Sequence, residues 1–198
     1  MKFSLVLLAL FVLGVAVGAG GVAPQVLLSD SVSMQLVRIL LLLVGVGMGL
    51  DPQFFVHLRQ VNGRMLLVPA GIVIGSLAGA GMVALVLPGI SVRDGVSVGA
   101  GLGYYSLSSI MISQARGPQL GVVALIANIL REVSTLLLAP LLVRTFGKLA
   151  AVASAGATSS DTTLPVIQQF TDTATTLVAV VNGLVLTLLV PILVSFLV

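Results

Sequence analysis

Apolar runs of the length a helix needs to cross a bilayer recur along this chain, and they constrain its fold more than any motif does. About 20 residues at helical rise span the hydrocarbon layer, where every backbone N–H and C=O must be bonded within the segment. Five such runs can be read, at about 3–20, 35–50, 65–88, 118–143 and 176–198. The second is short and holds Arg38, whose aliphatic stem lets its charge snorkel to the interface. Composition agrees: 58% of the residues are hydrophobic and 8% charged, against roughly 25% charged in soluble domains. The expected fold is an all-α integral membrane protein of about five transmembrane helices in contact with a lipid bilayer. The opening run, with Lys2 and small residues near its end, has the layout of a signal peptide. Later runs hold the chain in the bilayer in any case, so a retained first span is the more economical reading.

Several function classes drop out. Without cysteine there is no thiol nucleophile, disulfide or thiolate metal site, and His57 alone builds no multi-histidine centre. No cofactor is expected. The nine basic residues sit singly at segment ends, so they report topology rather than a nucleic-acid surface. An intramembrane hydrolase is disfavoured because no serine has a plausible base beside it.

Two stretches are neither good spans nor good loops: "VSVGAGLGYYSLSSIMIS" (Val96–Ser113) and "AAVASAGATSSDTTLPVI" (Ala150–Ile167), both rich in Gly, Ser and Thr. Basic residues in short loops favour the cytoplasmic side. Lys2, Arg59, Arg64, Arg144 and Lys148 taken as inside make the first stretch begin and end outside and the second begin and end inside. Both are then expected to be re-entrant, with the N-terminus cytoplasmic and the C-terminus external; Arg93 and Arg116 fall outside in this scheme. A shift of 51 residues lays "LLLAPLLVRTF" (Leu136–Phe146) on "TLLVPILVSFL" (Thr187–Leu197), matching both prolines. Each copy, a re-entrant stretch plus one span, makes an odd number of crossings, so the two copies are expected to be inverted. Inverted repeats with broken helices meeting at the midplane are the architecture of secondary transporters. The chain divides on this reading into an N-terminal three-helix membrane region, 1–92, and a transport core, 93–198.

Most acidic residues fall at span ends, where a carboxylate is hydrated. Glu132 and Asp161 do not: one lies mid-span beside Arg131, the other in the second broken stretch. A charge at mid-bilayer costs about 2.5–3.5 kcal/mol even on the lenient insertion scale, so such residues face a cavity or one another. Asn128, Glu132 and Thr135 share a helix face, with Arg131 one residue round. Two readings remain open: a structural ion pair of Arg131 with Glu132 or Asp161, or a cation-binding and proton-exchanging site, since a desolvated carboxylate is easily protonated. Ser106, Ser108, Ser109, Thr158, Ser159 and Thr162, together with unwound helix ends, would complete such a site. For any single Gly or Ser, close helix packing explains as much.

"GLGYYSLSS", "LGVVALIANILREVSTLLLAPLLVR", "GATSSDTTLPVIQ" and "NGLVLTLLVPILV" resemble the matching segments of the LysO family of bacterial lysine exporters; the first 90 residues resemble it more loosely, through "LLLLVGVGMGL". The resemblance implies an inner-membrane exporter of L-lysine or a related cationic amino acid, exchanging it for protons at the carboxylates of Glu132 and Asp161. Full-length members carry further spans ahead of the matched region, which implies a small membrane partner or assembly of two copies of this chain. Two other functions fit the residues: a structural membrane subunit of a larger transporter, or an inorganic cation/proton antiporter.

Overall fold

The computed structural model describes residues 63–198 without interruption and only isolated positions before them. The expected spans at 3–20 and 35–50 lie outside the described residues. By contacts the chain divides into two units, 1–42 and 43–198, and every element below belongs to the second. All of these elements are helical: α1 (Leu67–Val86), α2 (Val92–Gly99), α3 (Tyr105–Arg116), α4 (Pro118–Phe146), α5 (Lys148–Ala155), a 3-10 turn (Gly156–Ser160), α6 (Leu164–Phe170) and α7 (Thr173–Leu197).

Three of them, α1, α4 and α7, are long and apolar enough to cross a membrane, and they coincide with the last three spans read from the sequence. Their outward faces are apolar rather than polar: Ile74, Leu85 and Val86 on α1, Leu137 and Leu141 on α4, and Leu188 and Phe196 on α7 are exposed. A surface of this kind is solvated by lipid tails, and the polar groups turn inward. The molecule is an all-α membrane protein.

The element order repeats. A short helix, a break, a second short helix and a long helix occur first as α2, α3 and α4, then as α5, α6 and α7. Pro140 and Pro191, matched by the shift of 51 residues, both lie inside their long helices. The first hairpin, α2–α3, has its outer ends beside the end of α7. Ser97 Oγ donates to Leu197 O at 3.1 Å, Arg93 Nη2 to Val198 O at 3.2 Å and Arg116 Nε to Val198 O at 3.2 Å, while Arg116 pairs with Asp94 at 3.5 Å. The second hairpin, α5–α6, has its outer ends joined by Lys148 and Asp172, 2.7 Å apart. α4 (Pro118–Phe146), a helix of 29 residues and about 43 Å at 1.5 Å per residue, separates Arg116 from Lys148, so the outer ends of the two hairpins lie at opposite ends of α4.

Local chemistry sets the boundaries. Ser91 accepts the Asp94 N–H at α2's start, and Asp172 accepts the Thr175 N–H at 2.8 Å at α7's start, each an N-cap. Pro118, whose missing N–H costs nothing in a first turn, opens α4 immediately after Gly117, which turns the chain at φ 98°. Small residues set the packing of α1 on α2. A Cβ added at Gly95 would stand 2.5 Å from the Ala84 Cβ and 2.9 Å from the Ala80 carbonyl oxygen, so only glycine lets these backbones approach.

Candidate functional site where the two helix breaks meet

Each break is stopped by residues with positive φ and then held by side chains from its long helix. In the first break Leu102 has φ 47° and Gly103 φ 96°, and the second opens on Gly156 at φ 66°. Leucine rarely adopts a left-handed backbone; here full burial and one hydrogen bond hold it there. That bond joins the two breaks: Ala157 N–H donates to Leu102 O at 2.8 Å. At this junction a Cβ on Gly103 would meet the Ala155 carbonyl oxygen at 2.9 Å, and one on Gly156 would run into the Leu102 carbonyl. The tips touch backbone to backbone, with Leu102 and Ala157 sharing one buried cluster with Ala124, Leu186 and Val190.

Beside the junction opens a cavity of about 220 Å³, lined by Gly103, Tyr104, Tyr105 and Ser106 from the first break, Ala157, Thr158, Asp161 and Thr162 from the second, Glu132 from α4 and Thr187 from α7. Ligand pockets run from about 300 to 1,000 Å³, so this one suits a small metabolite. Both carboxylates singled out by the sequence reach it. Asp161 is exposed in the chain by itself, and its Oδ1 accepts the Thr162 N–H at 2.6 Å. Glu132 is partly buried.

The ten residues singled out in the sequence divide into two groups. Glu132, Asp161, Ser106, Thr158 and Thr162 line the cavity. Asn128, Arg131, Ser108, Ser109 and Ser159 stand behind it and bond to the backbone. Asn128 Oδ1 accepts the Gly103 N–H at 2.8 Å, and its Nδ2 donates to Ala124 O at 2.8 Å and Val98 O at 3.4 Å, closing the first break from inside. Ser108 and Ser109 donate to Tyr104 O and Ser106 O within α3's first turn. Ser159 donates to Ala179 O at 2.7 Å, pinning the 3-10 turn to α7.

Arg131 pairs with neither carboxylate. Its Nε donates to Ser154 O at 2.8 Å, its Nη2 to Ala153 O at 2.8 Å and its Nη1 to Ser76 Oγ at 2.9 Å. Two of these acceptors are last-turn carbonyls of α5, which have no partner within their own helix, so the guanidinium caps the half-helix where its dipole is negative. Thr135 adds a bond of 2.7 Å to Ser154 Oγ on the same side. An ion pair tying Arg131 to Glu132 or Asp161, one of the two readings of the sequence, is not formed: the ion pairs among the described residues are Arg116–Asp94 and Lys148–Asp172. Unsatisfied helix-end carbonyls next to it outbid carboxylates that open into the cavity.

Sequence reasoning passed over four contributors. Tyr104 and Tyr105, the only two tyrosines of the chain, and Thr187 line the cavity. Asn182, in the middle of an apolar span, donates to Gly156 O and Ser159 Oγ, both at 3.0 Å, and holds the second break as Asn128 holds the first. The signal was present in the sequence: an amide at mid-span, like a charge though at a smaller penalty, needs a partner inside the bundle.

Long apolar helices around two broken helical segments, with a polar cavity at their junction, define an all-α membrane protein with broken helices. The chain belongs to the lysine exporter LysO family, which its sequence matches over residues 8–198. It is 33% identical over 195 residues to the lysine exporter LysO of Escherichia coli (strain K12), covering 98% of this chain and 63% of that protein. A putative lysine exporter of Haemophilus influenzae is 33% identical over 143 residues, 71% of this chain and 72% of the relative. The chain therefore spans less than two thirds of the length of the first of these relatives. No solved structure matches it.

Proposed function

We propose that the protein exports L-lysine, or a related cationic amino acid, across the bacterial inner membrane in exchange for protons. The observation that carries this reading is the shared cavity, in which Glu132 from α4 and Asp161 from the second break face one space at the contact of the two tips. Two carboxylates suit a substrate with ammonium groups. The N-terminus of α3, where Tyr105 and Ser106 line the cavity, suits its carboxylate, because the helix dipole favours an anion there. Proton uptake from outside weakens the hold of the carboxylates on the cation and favours its release. The printed names of the relatives, lysine exporters, support the substrate.

On this reading the α2–α3 and α5–α6 hairpins are re-entrant, the first from the external side and the second from the cytoplasm, residues 93–198 form the transport core, and the C-terminus is external. The chain spans 63% of the length of the first relative, and assembly with a small membrane partner or with a second copy of this chain is part of this proposal. The test is lysine flux in liposomes carrying the protein with any such partner. Asp161→Asn and Glu132→Gln are each expected to lower flux at least 100-fold; unchanged flux in either overturns the proposal. A protein that only holds a larger transporter together would instead lose thermal stability with Asp161→Asn and keep cellular lysine tolerance.

A further inference from the structure

Among the described residues, the charges of Arg64, Arg93, Asp94, Arg116, Arg144, Lys148 and Asp172 lie at or near the ends of the long helices, which leaves Arg131, Glu132 and Asp161 as the charges between them. Two of these three are the cavity's carboxylates. Arg131 is a partly buried cation that the export mechanism does not use. Its three partners are uncharged oxygens, and among the described residues no carboxylate lies within 4.0 Å of it to cancel its charge. It stands directly behind the second tip: a Cβ on Gly156 would be 3.2 Å from its Cζ, and the next residues, Ala157 and Thr158, form the cavity wall. A guanidinium stays protonated throughout the physiological range. The other groups facing the carboxylates are the phenols of Tyr104 and Tyr105 and the hydroxyls of Ser106, Thr158, Thr162 and Thr187, all uncharged at neutral pH.

From this placement we infer that Arg131 is the fixed counter-charge of the transport site and that it sets the exchange at one proton for each singly charged amino acid, with no net charge moved. The inference rests on the export reading. With both carboxylates ionised and Arg131 protonated the empty site carries one net negative charge. Lysine, with two ammonium groups and one carboxylate, brings one net positive charge, and the loaded site is neutral. As lysine leaves on the outer side, one proton from that side binds one of the two carboxylates, and the empty site is again neutral for its return. On the inner side that proton passes to water, and the next lysine binds. A net charge is penalised in the low dielectric of the bilayer, so these two neutral forms are the ones that cross. Without Arg131 the empty site would carry two negative charges and its neutral return would need two protons.

The experiment uses the whole chain, with any partner it needs, in liposomes whose potential is clamped with potassium and valinomycin, and it reads lysine flux and proton flux together. The expected result is a proton-to-lysine ratio of one and a limiting lysine gradient set by the pH difference alone, unchanged between 0 and 100 mV. Exchange moving one net charge would instead shift that gradient about 50-fold per 100 mV. A ratio of two, or a shift of that size, overturns the inference while leaving lysine export standing; no lysine flux in the wild type overturns both. Arg131→Lys is expected to keep the ratio at one and Arg131→Gln to move it toward two with voltage-dependent flux. An Arg131→Gln protein that still exchanges one for one without voltage dependence overturns the role given to Arg131. If that variant does not fold, the wild-type ratio and voltage arms decide the matter.

Discussion

The two hairpins share one plan and differ in what their breaks are made of. In α2–α3 the break is neutral and closed: Asn128 takes the Gly103 N–H and gives to two carbonyls, and the tip offers the cavity phenols and hydroxyls. In α5–α6 the break is a longer 3-10 turn, its half-helix is capped by a guanidinium instead of an amide, and it ends on Asp161, whose carboxylate is held only by its neighbour Thr162 among the described residues. The ionisable group is on one tip, and the other tip brings only neutral groups to the cavity. The difference is one of solvation, since a neutral tip can be buried completely whereas a carboxylate needs the open side of a cavity.

The largest expected effect on that contrast is in transport. Asp161→Asn, on the second tip, should lower lysine flux in liposomes at least 100-fold with little change in melting temperature, whereas Ser106→Ala on the first tip should lower it less than tenfold. Equal losses would erase the distinction. Next comes the junction itself. Gly156→Ala adds a Cβ against the Leu102 carbonyl at a positive φ, and should cost about 3 kcal/mol or more, visible as loss of the folded protein in detergent melts. Gly117→Ala, at φ 98° and ψ 157° with open space around it, should cost about 1–3 kcal/mol from backbone strain alone. If the two cost the same, backbone strain and not tip contact sets the loss.

Smaller effects separate the two amide pins. Asn128→Ala orphans the buried Gly103 N–H and two carbonyl bonds, an expected loss of about 2–4 kcal/mol. Asn182→Ala should lose about 1–2 kcal/mol, because its Oδ1 is buried without a protein partner among the described residues and that desolvation is relieved in the variant. The reverse order would make the second break the more tightly held. The smallest effect is at the outer ends. Hydrogen bonds from Lys148, then from Thr175, hold the Asp172 carboxyl well below the usual carboxylate range. A folded-state pKa below the unfolded one contributes stability that is present above the unfolded value, near pH 4, and lost as pH falls through the folded value. Asp172→Asn should therefore lower the melting temperature slightly at neutral pH, and the gap to wild type should narrow as the pH is taken below 4. The exposed pair is also screened, so added salt should shrink the effect.

The spans of α1, α4 and α7 were legible in the sequence because a bilayer imposes a length and a hydropathy that no tertiary contact needs to supply. The repeat was legible through Pro140 and Pro191, and the two broken stretches through Gly and hydroxyl residues that a simple span does not need. Glu132 and Asp161 stood out for the same reason, a charge where water is scarce. The partner of Arg131 was not legible, because sequence proximity to Glu132 says nothing of the α5 carbonyls that reach it from 22 and 23 residues away. Nor was the position of Tyr105, which lines the cavity only because the first break turns α3's start toward the second tip.

Sequence alone thus determined an all-helical membrane chain, its repeated order of elements and the residues whose burial needs explaining, since solvation by lipid acts on each segment separately. Tertiary structure decided which polar groups face the cavity and which bond behind it: Ser106 from Ser108, Thr158 from Ser159, and Glu132 from its neighbour Arg131. Those choices depend on where the breaks cross, and the crossing is fixed by backbone contact between Leu102 and Ala157, two residues 55 positions apart that carry no polar side chain to announce it.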